Sequence, residues 1–190
     1  LYDMEQLEQA EEAFRRATAE MSDRPEPYNN LGNIYSDWKQ WEKSIGHYKK
    51  AIMHSQDGAV TAAYNLTIAL RQYGAYDEAL ALIDSYLERG EDRTKWLLQR
   101  ALIERAADRP EQAERILATV QGKNTKVLVL WAEVLSQLGR YEEAVQRFSQ
   151  VVGGAEEGAR ALYGLGKAHM GLGDSVRASE AFRRFLSVWP

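Results

Sequence analysis

Cysteine is missing altogether from this sequence, which removes disulfides, thiolate metal sites and a cysteine nucleophile at one stroke and leaves the redox compartment open. Nowhere are there about 18 consecutive apolar residues, the length a membrane-crossing helix requires, so no membrane insertion is expected. The chain opens Leu1-Tyr2-Asp3, with neither an initiator Met nor a basic segment followed by an apolar run. The expectation is a soluble chain for which cytoplasm and periplasm are both open. An excess of positive charge is also lacking. With 24 Lys plus Arg against 28 Asp plus Glu, a net charge of -4 offers no general attraction to phosphate backbones or anionic lipids. What is present is length: 190 residues suffice to bury about 70% of the unfolded chain's surface without staples.

The sequence repeats itself. Small residues recur at Gly32, Thr67, Ala101, Ala132 and Gly166, at successive spacings of 35, 34, 31 and 34 residues. A second series, Ser44, Ala79, Ala113, Ala144 and Ala178, follows the first at a constant 12 residues. The constant interval marks a rigid hairpin, and the variable one places all length change between hairpins. Leu31, Ile34, Tyr35 and Trp38 keep one helical face, as do Trp41, Ile45, Tyr48, Ala51 and Ile52, so each unit reads as two antiparallel helices. Seven residues past each small position stand Lys39, Gly74, Asp108, Gly139 and Gly173, where a Gly suits the left-handed residue that ends a helix. Trp41, Tyr76, Pro110, Tyr141 and Ser175 then open the second helix.

A period near 34 with the order small residue, Gly, aromatic, Ala, aromatic, Ala resembles the tetratricopeptide repeat (TPR) family, and the resemblance covers essentially the whole chain. The best copies are YNNLGNIYSDWKQWEKSIGHYKKAI, AAYNLTIALRQYGAYDEALALIDSYL and LWAEVLSQLGRYEEAVQRFSQVV. The fold implied is an all-α, right-handed α-solenoid of antiparallel helix hairpins. Its single solenoid domain would hold a half repeat over residues 1–22 and repeats over 25–57, 58–90, 91–122, 124–154 and 155–190. Ala10, Phe14 and Ala17 take the alanine, aromatic and alanine places of the half repeat. The third copy departs most, with Arg100 in place of the family's leucine and Pro110 in place of its aromatic, and its hairpin is expected to be the least regular. The 31-residue spacing predicts either a shorter connection across Val120 to Thr125 or a trimmed helix end.

Such arrays line a concave surface with their first helices, and the resemblance implies a non-catalytic protein-interaction scaffold or adaptor. The inward-facing set should include Glu26, Asn29, Asn33, Asp37, Arg71, Gln72, Lys95, Gln99, Arg105, Lys126, Glu133, Arg160 and Lys167, with six bases against three acids. A basic majority on one face of an acidic chain favours an acidic protein or peptide partner; the alternative is a merely solvated helix face. The family's carboxylate clamp would need a Lys where Asn29 stands and an Arg where Gln99 stands. Asn33, Asn65 and Lys95 do match it, but without those two cations the charge-assisted bonds that give a clamp its strength are lost.

Other chemistry finds little support. His47 and His54 lie seven apart on one helix, about 10 Å along its axis, too far to share a metal. No nucleophile, base and orienting acid assemble, so no enzyme and no cofactor is expected. Gly164-Leu165-Gly166-Lys167-Ala168 has the look of a phosphate loop but lacks the earlier Gly and the following Ser or Thr. RNA-reading helical repeats share the period, but they need a basic groove with a repeated reader pair that this sequence does not present, so nucleic acid is set aside. From a different class comes self-assembly. The chain starts on an orphan second helix and ends on Ala181 to Pro190 with no polar capping helix, so either the protein continues further or its ends bury against a second copy as a homo-oligomer.

Overall fold

The computed structural model describes residues 4–20, 22–55, 59–90, 92–121, 124–151 and 155–188. Among these it forms eleven α-helices and no strand: α1 Met4–Glu20, α2 Pro25–Asp37, α3 Trp41–Met53, α4 Val60–Tyr73, α5 Tyr76–Glu88, α6 Arg93–Ala106, α7 Pro110–Thr119, α8 Thr125–Gln137, α9 Tyr141–Ser149, α10 Ala155–Gly171 and α11 Ser175–Val188. They belong to two compact units, Leu1–Arg89 with α1 to α5 and Gly90–Pro190 with α6 to α11. In the first unit each helix packs on the next, and α2 also touches α4. In the second, consecutive helices again pack, while α6 touches α8 and α8 touches α10.

One turn is built five times. Lys39, Gly74, Asp108, Gly139 and Gly173 all adopt positive φ, from 57° to 92°. At each, its own N–H donates to the carbonyl three residues back and the next N–H to the carbonyl five back from itself, as in Lys39 N to Ser36 O and Gln40 N to Tyr35 O at 2.9 and 2.8 Å. This pair of bonds satisfies carbonyls that the ending helix would otherwise orphan. Glycine adopts the conformation freely, whereas Lys39 and Asp108 adopt it against a Cβ clash.

The twelve-residue interval is a contact across each hairpin. Ser44, Ala79, Ala113 and Ala144 are fully buried and Ala178 is 3% exposed, and the Ser44 hydroxyl donates to Gly32 O at 2.8 Å. Where the small residue is Gly, an aromatic ring takes the space a side chain would need. A Cβ on Gly32 would stand 2.4 Å from the Tyr48 ring, and one on Gly166 would stand 2.4 Å from Phe182. Phe148 follows a different course and lies across the next hairpin, where a Cβ on Gly164 would come within 2.2 Å of its ring. Gly164 to Ala168 therefore runs in the middle of α10, with no loop there to cradle a phosphate.

The short spacing resolves into a trimmed helix: α7 has 10 residues where α3 and α5 have 13. Pro110 opens it at the first turn, where its missing N–H costs nothing. The third hairpin is nevertheless not alone in its irregularity. Its turn is bonded like the others, and α9 is shorter still at 9 residues. Of the tryptophans, Trp96 and Trp131 lie in the core at 0% and 7% exposure, and Trp38 and Trp41 are half-buried. Trp189 falls outside the described residues.

Candidate functional site

In the first unit the asparagines foreseen on the inner face come together, but they bond one another. Tyr48 Oη donates to Asn33 Oδ1 at 2.8 Å, and Asn65 Nδ2 reaches Asn33 Oδ1 at 3.2 Å and Asn29 Oδ1 at 3.4 Å. This ladder ties α2 to α4 and to the ring that fills the Gly32 notch. Burial pushes the Tyr48 hydroxyl up to about 12, so it remains a donor throughout the neutral range. A shallow cavity of about 210 Å³ opens over it, lined by Asn33, Ser36, Asp37, Tyr48, Asn65 and Ile68. Arg71, in the last turn of α4, is half-buried and does not line that cavity.

The second unit carries the larger opening. A cavity of about 1030 Å³ lies along α8, α9 and α10, with Arg105 from α6 and Phe185 from α11 at its margins. Its lining includes a three-helix ion bridge. Glu133 on α8 accepts from Arg105 Nη1 of α6 through Oε2 and from Arg160 Nη2 of α10 through Oε1, the latter at 2.7 Å. The Glu133 side chain is 23% exposed and that of Arg160 48%, so the bridge meets solvent on the groove side. Lys167, also in the lining, stands 5.8 Å from the centre of the Tyr163 ring.

Beside the ions lies apolar surface. Tyr141, Phe148, Tyr163, Met170 and Phe185 all line the cavity, with Tyr163 exposed at 49% and Met170 at 63%. Tyr163 rests on Phe182 and Phe185 at 5.8 and 5.5 Å between ring centres. Gly164 and Gly171 let the Phe148 and Tyr141 rings of α9 lie against the backbone of α10. None of these apolar residues belongs to the inner-face set foreseen from the sequence. The pair of glycines seven apart on α10 was the signal available, since it marks where side chains of a neighbour approach a helix closely.

The remaining foreseen residues divide. Arg105, Arg160 and Lys167 meet at the cavity. Lys126 stands outside it, largely exposed, with Nζ 3.9 Å from Glu157 Oε1. Lys95 is half-buried at the start of α6. Gln99 differs from expectation: at 2% exposure it is a core residue, because the face of α6 that carries it is covered, and it is not open to a ligand. The basic excess is also smaller than the sequence implied, since Glu133 and Glu157 pair with three of those cations. No group of three or more potential metal-ligating side chains occurs among the described residues, and no described helix is long and apolar enough to cross a membrane.

This arrangement of hairpins matches known proteins. Tetratricopeptide repeat family models match residues 25–53 and 129–190. The TPR repeat-containing protein MJ1428 of Methanocaldococcus jannaschii is 26% identical over 161 residues, covering 83% of this chain but 28% of its own length. The chain thus spans between a quarter and a third of that relative. Among solved structures, a tetratricopeptide repeat protein from Parabacteroides merdae superposes with a TM-score of 0.77 at 17% identity, covering 98% of this chain and 74% of the other. YrrB, described as a TPR protein with an unusual peptide-binding site, superposes with a TM-score of 0.59 at 22% identity, covering 95% of this chain and 94% of its own. With its repeats, its turns and its helix pairs in the same register, the chain has the all-α solenoid fold of tetratricopeptide repeat proteins, and two of its segments match that family.

Proposed function

We propose that the chain is a non-catalytic scaffold that holds a peptide segment of a partner protein in the groove of its second unit and prefers segments carrying acidic residues. The observation that carries this reading is the cavity of about 1030 Å³, open to solvent, in which exposed apolar side chains adjoin Arg105, Arg160 and Lys167 against the single acid Glu133. Apolar area supplies affinity and a few charges fix register. That YrrB is described as having a peptide-binding site is in keeping with it.

Panning a random peptide display library against the protein tests the reading. Acidic peptides should be enriched, and Arg160→Glu with Lys167→Glu should weaken the winners by about 10-fold or more. The far-ultraviolet helix signal should persist, with the loss of the Arg160–Glu133 pair costing stability on the order of 1 kcal/mol. Enrichment of basic peptides, or undiminished binding by the double variant, would overturn the acidic preference. A second reading, self-association, is favoured by Leu186 and Val188 on α11, exposed at 69% and 53%. Light scattering across a concentration series decides it: a mass that stays near 21.6 kDa excludes it, and a stable multiple supports it.

A further inference from the structure

We infer that Glu133 is a built-in competitor for the ligand's own carboxylate, and that the groove accepts a segment in which an acidic residue lies next to a bulky apolar one. The inference rests on the peptide-groove reading above. Glu133 occupies, with its two oxygens, the guanidinium groups of Arg105 and Arg160. Those are the two cations an incoming carboxylate would otherwise bond. The bridge is not sealed in the core: side-chain exposure is 29% for Arg105, 23% for Glu133 and 48% for Arg160, so water and a ligand reach it from the groove.

Water reaches the Arg160 end of the bridge and screens it, so this pair is the weakly held one. A ligand carboxylate that brings apolar contacts with it can therefore take over Arg160, and Lys167 in the same lining adds a third cation toward it. The apolar partner of that carboxylate is specified by neighbourhood. Tyr163 and Met170, both exposed, stand on the helix that carries Arg160 and Lys167, and the Phe185 ring backs Tyr163 at 5.5 Å. A bulky apolar side chain seated on these rings would place an adjoining acid over Arg160. In the absence of ligand Glu133 keeps the two guanidinium groups paired, which disfavours capture of isolated anions and of segments with charge but no apolar anchor.

The probes are three fluorescein-labelled synthetic pentapeptides, acetylated and amidated at their ends: Asp-Asp-Phe-Leu-Asp, its amide counterpart Asn-Asn-Phe-Leu-Asn, and the anchorless Asp-Asp-Ser-Ser-Asp. Binding is read by fluorescence anisotropy on the natural chain and on Glu133→Gln. The expected result is about 10-fold tighter binding of the first peptide to Glu133→Gln, because two charge-assisted partners are released, with the amide peptide unchanged and the anchorless one weakest on both. Glu133→Asp, which keeps the charge but withdraws it by one methylene, should tighten binding in the same direction and replaces Glu133→Gln if circular dichroism finds that variant unfolded. An unchanged affinity for the acidic peptide, or equal gains for the acidic and amide peptides, overturns the competitor while leaving the groove reading standing. If none of the peptides binds either protein, the groove reading falls and the competitor with it.

Discussion

Two residues, Lys39 and Asp108, hold a left-handed turn that three glycines hold elsewhere in the chain, and the comparison isolates backbone strain from everything else in the repeat. For a residue with a Cβ that conformation costs roughly 1–2 kcal/mol. Lys39→Gly is accordingly expected to raise unfolding stability by about 0.5–1 kcal/mol, and Gly139→Ala to lower it by a similar amount. Urea titrations of the two variants check the pair; a loss on Lys39→Gly would mean that the lysine contributes more than its strained backbone costs. A packing strain of another kind sits at Gly164. A Cβ there would stand 2.2 Å from the Phe148 ring, inside contact distance, so Gly164→Ala should cost about 1–3 kcal/mol through overpacking. Combining it with Phe148→Leu, which removes the obstructing ring edge, should recover part of that loss in a double-mutant cycle. Additive losses would show that the ring does not stand in the way.

At the scale of elements, the packing of α1 on α2 and of α2 on α3 is where pH should matter. Tyr35 of α2 donates to Glu11 of α1 at 2.6 Å, and the His47 ring of α3 lies parallel to the Tyr35 ring at 5.2 Å. Burial, followed by the charges of Lys50 and Arg15, holds the His47 imidazole below its ordinary value, and Glu11 opposes them only in part. The unfolded chain then takes up a proton near pH 6.5 that the folded chain resists, so stability is full above that pH and declines as pH falls toward the lower folded-state value. Thermal melts between pH 7 and pH 5 should therefore show a steeper loss for the natural chain than for His47→Gln. Equal slopes would remove His47 from the account. Element lengths were only half legible. The 31-residue interval announced that something between Ala101 and Ala132 was short, but a count of residues cannot separate a lost helical turn from a short connection; the structure places the loss in α7.

At the scale of the whole molecule, the repeat fixed the hairpins, and the measurement that bears on the chain as a unit is binding without unfolding. Arg160→Glu with Lys167→Glu should weaken capture of acidic peptides by about 10-fold or more while the far-ultraviolet helix signal persists and the melting point falls only slightly, because both side chains lie exposed on α10 and only the Arg160–Glu133 pair is lost. The hairpins, their turns and their buried alanines were readable from the sequence because they are made of contacts 12 to 16 residues apart, such as Ser44 with Gly32 and Tyr48 with Gly32, which recur in register and so leave a period in the chain. The groove was readable only as a set of polar positions. That Glu133 would bind Arg105 28 residues earlier and Arg160 27 residues later, that Gln99 would turn into the core, and that Tyr163 and Met170 would line a cavity depend on how one hairpin sits on the next. Contacts within a hairpin repeat and are written in the period; contacts between hairpins depend on the particular side chains that meet, and only the tertiary structure decides them.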